Sequence, residues 1–408
     1  MSKSSEVLQL GRHVTVLPVV HGSGDFAVEV RRVMLSNEFD CLAVPLPPSF
    51  QNEVEAAVQW LPNVSVVLQR EAINKFKSDG EFDPDARDDD DDSGRPFGDE
   101  IDGHASYVPI DPCQPVIAAL RIAMQEHVRR EFIDIEDDEY LPVTASLPDP
   151  YALKQVSVER FGAAVLPALK APEDASHIRR IHWMANELHR LAKTHKSILF
   201  VCSLLDWPWI RDAYQSVVDR PSALRTAGNP AQIFAVEPRT LAFMLGELPF
   251  FTGCYETARA ELDDDENLSI DGIKALLLAT RDSYKAELKK RARPITPQLL
   301  KVLLKYIRNL SLIERRFTPD LYTLVTAAKQ IAGDQFAIHL AETARDYPYY
   351  DLEEEFPEVR FGVDQVMLPD FTQLSVVSRL PGHPVVWRTC ALNAPPDRQK
   401  QIEWEKTW

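Results

Sequence analysis

No apolar run in the 408-residue chain approaches the roughly 20 residues needed to cross a bilayer as a helix. The opening stretch, MSKSSEVLQLGRH, has no apolar core of signal-peptide length. There is no C-x-x-C pair: Cys41, Cys113, Cys202, Cys254 and Cys390 are scattered and odd in number, which argues against a disulfide framework and for reduced thiols. Basic residues are in deficit, 45 against 62 acidic ones, giving a net charge of -17. That deficit argues against a general binder of phosphate backbones or of an anionic membrane surface, both of which need clustered Lys and Arg. No internal repeat at a fixed period is visible, so a solenoid is not expected. The expected location is the cytoplasm, with no nucleic-acid or membrane partner.

What is present is ordinary globular material. Apolar residues make up 45% and charged residues 26%, enough for packed cores rather than a disordered chain. Single cores stop growing at about 250 to 300 residues, so more than one domain is expected. Much of the negative charge is local, in Glu81–Asp92, Asp134–Glu139, Asp263–Glu266 and Glu353–Glu355, where the ordinary reading is a solvated loop.

Periodicity sets the fold class. His13–Val20 is a nearly continuous apolar run rich in β-branched residues, the signature of a strand covered on both faces. It is followed by a helical pattern over Val28–Leu35, a strand over Phe39–Pro45, a helix over Asn52–Trp60 and a strand over Val64–Leu68. Such alternation predicts βαβ units in a mostly parallel sheet flanked by helices. Residues 71–104 carry Asp, Gly and Pro without periodicity and are expected to form an acidic, disordered insertion. The rhythm resumes with a helix over Pro115–His127, a strand over Glu131–Ile135, helices over Tyr151–Leu169 and Ser176–Lys196, and strands over Ser197–Leu205 and Ala231–Val236.

Beyond residue 238 helices dominate. Ser269–Arg291 has one apolar stripe, Thr296-Pro297 and Thr318-Pro319 read as N-caps followed by a first-turn proline, and Gly333 reads as a stop. Past Phe356 the chain is Pro-rich, with a hairpin expected between Leu374–Leu380 and Pro384–Ala391. The expected organisation is an α/β domain over 1–235, a helical subdomain over 236–350 and a small irregular C-terminal region over 351–408. The abrupt end at Trp404–Trp408 leads us to expect a longer natural chain.

Chemistry is expected where parallel strands end, because ligands of open α/β sheets bind beyond the carboxyl ends of the strands. His21-Gly22-Ser23-Gly24-Asp25 stands at such an end: Gly22 and Gly24 allow close backbone approach, and His21 can act as ligand or base. The plain alternative is a tight strand-to-helix turn. The segment is not G-x-G-x-x-G and lacks a P-loop lysine, so a nucleotide site is poorly supported. Asp206-Trp207-Pro208-Trp209 follows another strand end, where Trp207 either walls a pocket or packs a helix onto the sheet. Asp134 and Glu131 lie at or near a third. His182 and His189 share a helix face at a spacing unlike a ligand pair. Cys202 reads as a core thiol; Cys113, ahead of a helix, is the better nucleophile candidate but has no identifiable partner histidine.

The first strand with its histidine-glycine turn, the helix VEVRRVML, the strand FDCLAVPLP and the later HIRRIHWMANELHRLAKTHKSILFVCSLLDWPWI resemble TraB, PrgY and GumN-type proteins, relatives of the erythromycin-esterase and ChaN-like groups. The resemblance covers about residues 13–210. It implies a metal-dependent hydrolase built on two G-x-x-H motifs and strand-end glutamates. Here Pro18-Val19-Val20-His21 keeps the histidine without the glycine, Ser203-Leu204-Leu205-Asp206 has aspartate for the second histidine, and Pro45 or a neighbour stands where a glutamate is expected. The implied site is one divalent ion on His21, Asp206 and Glu131 or Asp134, with His21, Asp206 and Asp134 catalytic and Gly22, Gly24 and Trp207 against the ligand. The alternative is a non-catalytic scaffold on the same fold that binds a protein partner.

Overall fold

The computed structural model describes residues 8–71, 101, 103–136, 140–216, 221, 229–350, 355–384, 386 and 388–393. The expected acidic insertion therefore falls almost wholly outside the described residues, and its last two positions, Gly103 and His104, are the start of a strand. Two compact units divide the chain: one of 1–146, 157–246 and 349–383, the other of 147–156, 247–348 and 384–408. The residues expected as a separate C-terminal piece are thus shared between them.

The first unit opens with β1 (Gln9–Leu10), β2 (Val14–Val19), α1 (Gly24–Ser36), β3 (Cys41–Val44), α2 (Gln51–Val58) and β4 (Ser65–Arg70). It continues with β5 (Gly103–Ile110), α3 (Pro115–Gln125), β6 (Arg129–Phe132), α4 (Val158–Val165), α5 (Ala175–Leu191), β7 (Ile198–Ser203), α6 (Trp207–Ser216) and β8 (Gln232–Val236). The second unit carries α7 (Pro249–Glu261), α8 (Leu268–Leu288), α9 (Pro297–Ile313), α10 (Leu321–Ala332) and α11 (Asp334–Ala344). The chain then returns to the first unit as β9 (Glu358–Phe361), β10 (Gln365–Met367) and β11 (Gln373–Ser378).

The α/β class is as expected, but the single mostly parallel sheet is not. One sheet has the order β1-β2-β7-β3-β6, parallel except for β1, and a second closes into a six-strand barrel, β10-β11-β5-β4-β8-β9, of mixed direction. β2 and β7 lie side by side from Val14 against Ile198 to Val19 against Ser203. Their apolar runs are buried almost throughout, as a strand covered on both faces requires. Phe26, Val30 and Met34, four residues apart, form the buried stripe of α1, which packs on α3. Fully burying such a side chain contributes roughly 1.5–3 kcal/mol.

Local departures have local causes. The helix expected over Tyr151–Leu169 is divided: a 3-10 turn runs to Lys154, α4 starts afresh behind Ser157, and Pro167, which cannot donate to a continuing helix, falls in a closing 3-10 turn. Among the described residues the hairpin expected around Pro381-Gly382-His383 is absent, and β11 pairs with β10 and, in parallel, with β5. In the second unit Thr296 caps α9 as expected, but α10 is capped by Asp320, whose carboxylate accepts from the Thr323 N–H. Thr318 is turned to Asp149, whose Oδ2 accepts from both its backbone N–H and its hydroxyl. Gly333, at φ 96°, ends α10 as expected. The helical core gathers Leu276, Leu277, Leu303, Leu324, Phe336 and Leu340. Among the described residues no helix is long and apolar enough to cross a membrane.

Candidate functional site

The carboxyl ends of the parallel strands converge. Just past β2 stands His21, past β3 Pro45, past β6 Asp134, and past β7 Asp206; Ser203 is the last residue of β7 itself. The two neighbouring barrel strands β5 and β11, parallel to each other, end nearby and deliver Gln114 and Arg379. The cavity they enclose is small, about 10 Å³ and so room for about one water, and is lined by His21, Tyr140, Arg180, Ser203, Asp206 and Arg379, with Pro45, Val143 and Pro381 as apolar wall.

Apart from the half-buried Ser203, each polar wall residue is buried and held. His21 is 5% exposed, and its Nδ1 lies 3.0 Å from Gln114 Oε1. Burial lowers the His21 imidazole to about 4, against the hydrogen bond it donates to Gln114 and the charge of Asp206, so the ring is neutral near pH 7. His177 Nε2–H donates to Asp206 Oδ1 at 2.7 Å. Burial alone would raise the Asp206 carboxyl, but the His177 hydrogen bond and the nearby Arg180 charge hold it below the usual carboxylate value.

The opposite wall is cationic. Arg180 grips Asp134 through Nε and Nη2, the shortest contact being 2.8 Å, and Asp134 Oδ1 also accepts from the Ile135 N–H. Two guanidinium groups lie against the Tyr140 ring, Arg180 at 4.6 Å and Arg379 at 4.4 Å from its centroid, and Tyr140 donates to the Arg379 carbonyl. Burial lowers the pKa of Arg379 and raises that of Tyr140. At neutral pH the wall therefore presents two cations, a carboxylate and a neutral imidazole.

The turn carrying His21 is fixed by close backbone approach. Gly22 adopts φ 70°, and a Cβ placed on it would lie 2.9 Å from the Gly246 Cα. A Cβ on Gly382 would lie 2.9 Å from the His21 carbonyl oxygen. Gly246 is itself tied down by its N–H, which donates to Asp111 Oδ2 at 3.0 Å.

The expected site residues divide. His21 and Asp206 line one cavity, and Asp134 reaches it only through Arg180. Glu131 does not join them: it pairs with Arg129 at 2.8 Å and Arg190 at 3.4 Å. Trp207 is buried at the start of α6 under Arg211, in the packing role, and Gly24 opens α1 behind the Ser23 cap. His189 stacks on Tyr214 at 3.8 Å and donates to its carbonyl, while Cys202 is a core thiol that burial raises well above its usual pKa. Cys113 is likewise buried.

The implied divalent ion does not fit these residues. Its donors reduce to His21 and Asp206, since Glu131 is elsewhere and Asp134 is engaged by Arg180, and two guanidinium groups share the cavity wall. Among the described residues no three His, Cys, Asp or Glu side chains come together to hold a metal. His177, Tyr140, Arg180, Arg379 and Gln114 are absent from the expected set. Compared with models of known families, with curated proteins and with solved structures, the chain matches none.

Proposed function

We propose that the protein is a hydrolase acting on a small acyl substrate, an ester or a peptide bond, without a metal at its centre. One observation carries this reading: His21 and Asp206, from the ends of different strands, share a cavity with Arg180 and Arg379. A water held between His21 and Asp206 attacks the acyl carbon and yields a proton to one of these two acceptors, which returns it to the leaving group. Both are weak bases, one at about 4 and the other below the usual carboxylate range, so proton transfer supplies the smaller share of the acceleration. The larger share falls to the guanidinium groups facing the developing oxyanion, where one donor is worth about 3–4 kcal/mol. The resemblance of residues 13–210 to TraB, PrgY and GumN-type proteins supports the same reaction class. The free cysteines fit a cytoplasmic, reducing setting.

A scaffold that binds a protein partner is favoured by one specific feature, the pairing of Asp134 with Arg180 and of Asp206 with His177, which a purely structural polar network would also show. Turnover of chromogenic acyl esters and fluorogenic peptides by untagged protein separates the two, with metal content measured alongside. Hydrolysis that survives a chelator and falls about 100-fold or more in His21→Ala and Arg379→Met supports the enzyme. Absence of turnover in every substrate class from well-folded protein leaves the scaffold.

A further inference from the structure

We propose that Gln114 is a positioning residue that holds His21 as its Nδ1–H tautomer and so presents a bare Nε2 to the cavity. Three atoms around this hydrogen bond have roles set by their chemistry. The Leu380 carbonyl oxygen can only accept, so the Gln114 atom 3.4 Å from it is the amide nitrogen, Nε2. The amide oxygen, Oε1, therefore faces His21 Nδ1 at 3.0 Å. An amide oxygen can only accept as well, so Nδ1 carries the proton. In a neutral imidazole the other nitrogen is then unprotonated, and burial keeps the ring neutral near pH 7.

Gln114 is well placed for this task. It is 1% exposed and is the residue before Pro115 at the head of α3, so its backbone is held by the helix start. The Gly22, Gly246 and Gly382 approaches clamp the backbone that carries the ring, and the Gln114 hydrogen bond orients the ring itself. Asp206, Arg180, Arg379 and Tyr140 are the charged and titratable groups that share the cavity with it. An Nε2 lone pair accepts from a water or from a substrate N–H; the opposite tautomer would donate there and could not take a proton.

The consequence for activity rests on the hydrolase reading, but the tautomer is measured without it. Protein labelled with ¹⁵N-histidine is examined near pH 7 by long-range ¹H–¹⁵N correlation, with His21 identified among the 10 histidines by its loss in His21→Asn. A protonated Nδ1 and bare Nε2 are expected in the native protein, a mixture of tautomers in Gln114→Met, and the native tautomer in Gln114→Glu. In Gln114→Glu the added negative charge should also move the His21 titration up from about 4 by about 1 to 3 pH units. A protonated Nε2 in the native protein overturns the proposal whether or not Gln114→Met folds. So does a folded Gln114→Met with the tautomer unchanged. An inactive protein with the expected tautomer leaves the positioning role standing and removes the hydrolase reading alone.

Discussion

Gly246 and Gly22 meet backbone to backbone: a Cβ built on Gly246 would overlap the Cα, carbonyl carbon and carbonyl oxygen of Gly22. Gly246 follows the last barrel strand of the first stretch and Gly22 begins the turn that carries His21, so the position of a cavity residue depends on a glycine more than two hundred residues later. Gly246→Ala is expected to lower stability by about 1–3 kcal/mol, as overpacking does. Gly162→Ala, in the middle of α4, is the control: its Cβ would meet only Leu204 Cδ1, at 3.6 Å. That variant should be neutral or gain up to about 1 kcal/mol. Urea unfolding of both checks the contrast, and equal losses would refute it.

Asp134→Ala leaves the Arg180 guanidinium buried without its carboxylate. Breaking a buried pair in this way costs about 3–5 kcal/mol, because the surviving charge stays out of water. Replacing both residues with apolar ones, Asp134→Leu with Arg180→Met, should recover most of the loss. A double variant as unstable as the single one would show that the pair itself, rather than the stranded charge, stabilises the fold.

Stability should fall on mild acidification. His21 titrates near 6.5 when unfolded and at about 4 when folded, so between those values the unfolded chain binds the extra proton. The loss begins as pH drops through 6.5, reaches on the order of 3 kcal/mol by pH 4, and grows no further below that. Asp206, depressed in the folded state, contributes stability that is present above its unfolded value of 3.8 and is lost only as pH falls below it. Denaturation midpoints from pH 7 to 4 should therefore fall less steeply in His21→Asn than in the native protein.

His177→Ala removes the hydrogen bond that most lowers the Asp206 carboxyl and leaves burial free to raise it. On the hydrolase reading, the acid side of the pH–rate profile should then move to higher pH. A profile displaced in height alone would assign His177 a purely structural part.

The sequence was most legible where one residue pattern has one physical reading. β2 and β7 announce themselves because strands covered on both faces need continuous apolar runs, and the strand-end rule then picks out His21 and Asp206. The barrel was hidden because β9 and β10 are short and because they and β11, itself expected as a strand, are separated from β4, β5 and β8 by the helical unit. Local periodicity cannot report a pairing such as Leu374 with Gly103. Arg180 was hidden for a different reason: beside Arg179 on a helix it reads as surface charge. Its burial is decided by Asp134, 46 residues away. Gln114 has no pattern of its own, only neighbours.

The parallel pairing of β11 with β5 also sets an order of events during synthesis. At about 5–20 residues per second, β11 leaves the ribosome on the order of ten seconds to a minute after β5. Until then β5 has its antiparallel partner β4 on one side and an open edge on the other, the kind of edge that recruits foreign strands. Arg379 and Gly382 arrive with this late strand, so the cavity stays unfinished until they are made. A chain terminated ahead of Gln373 would lack Arg379 in its cavity wall and would keep the β5 edge open to foreign strands.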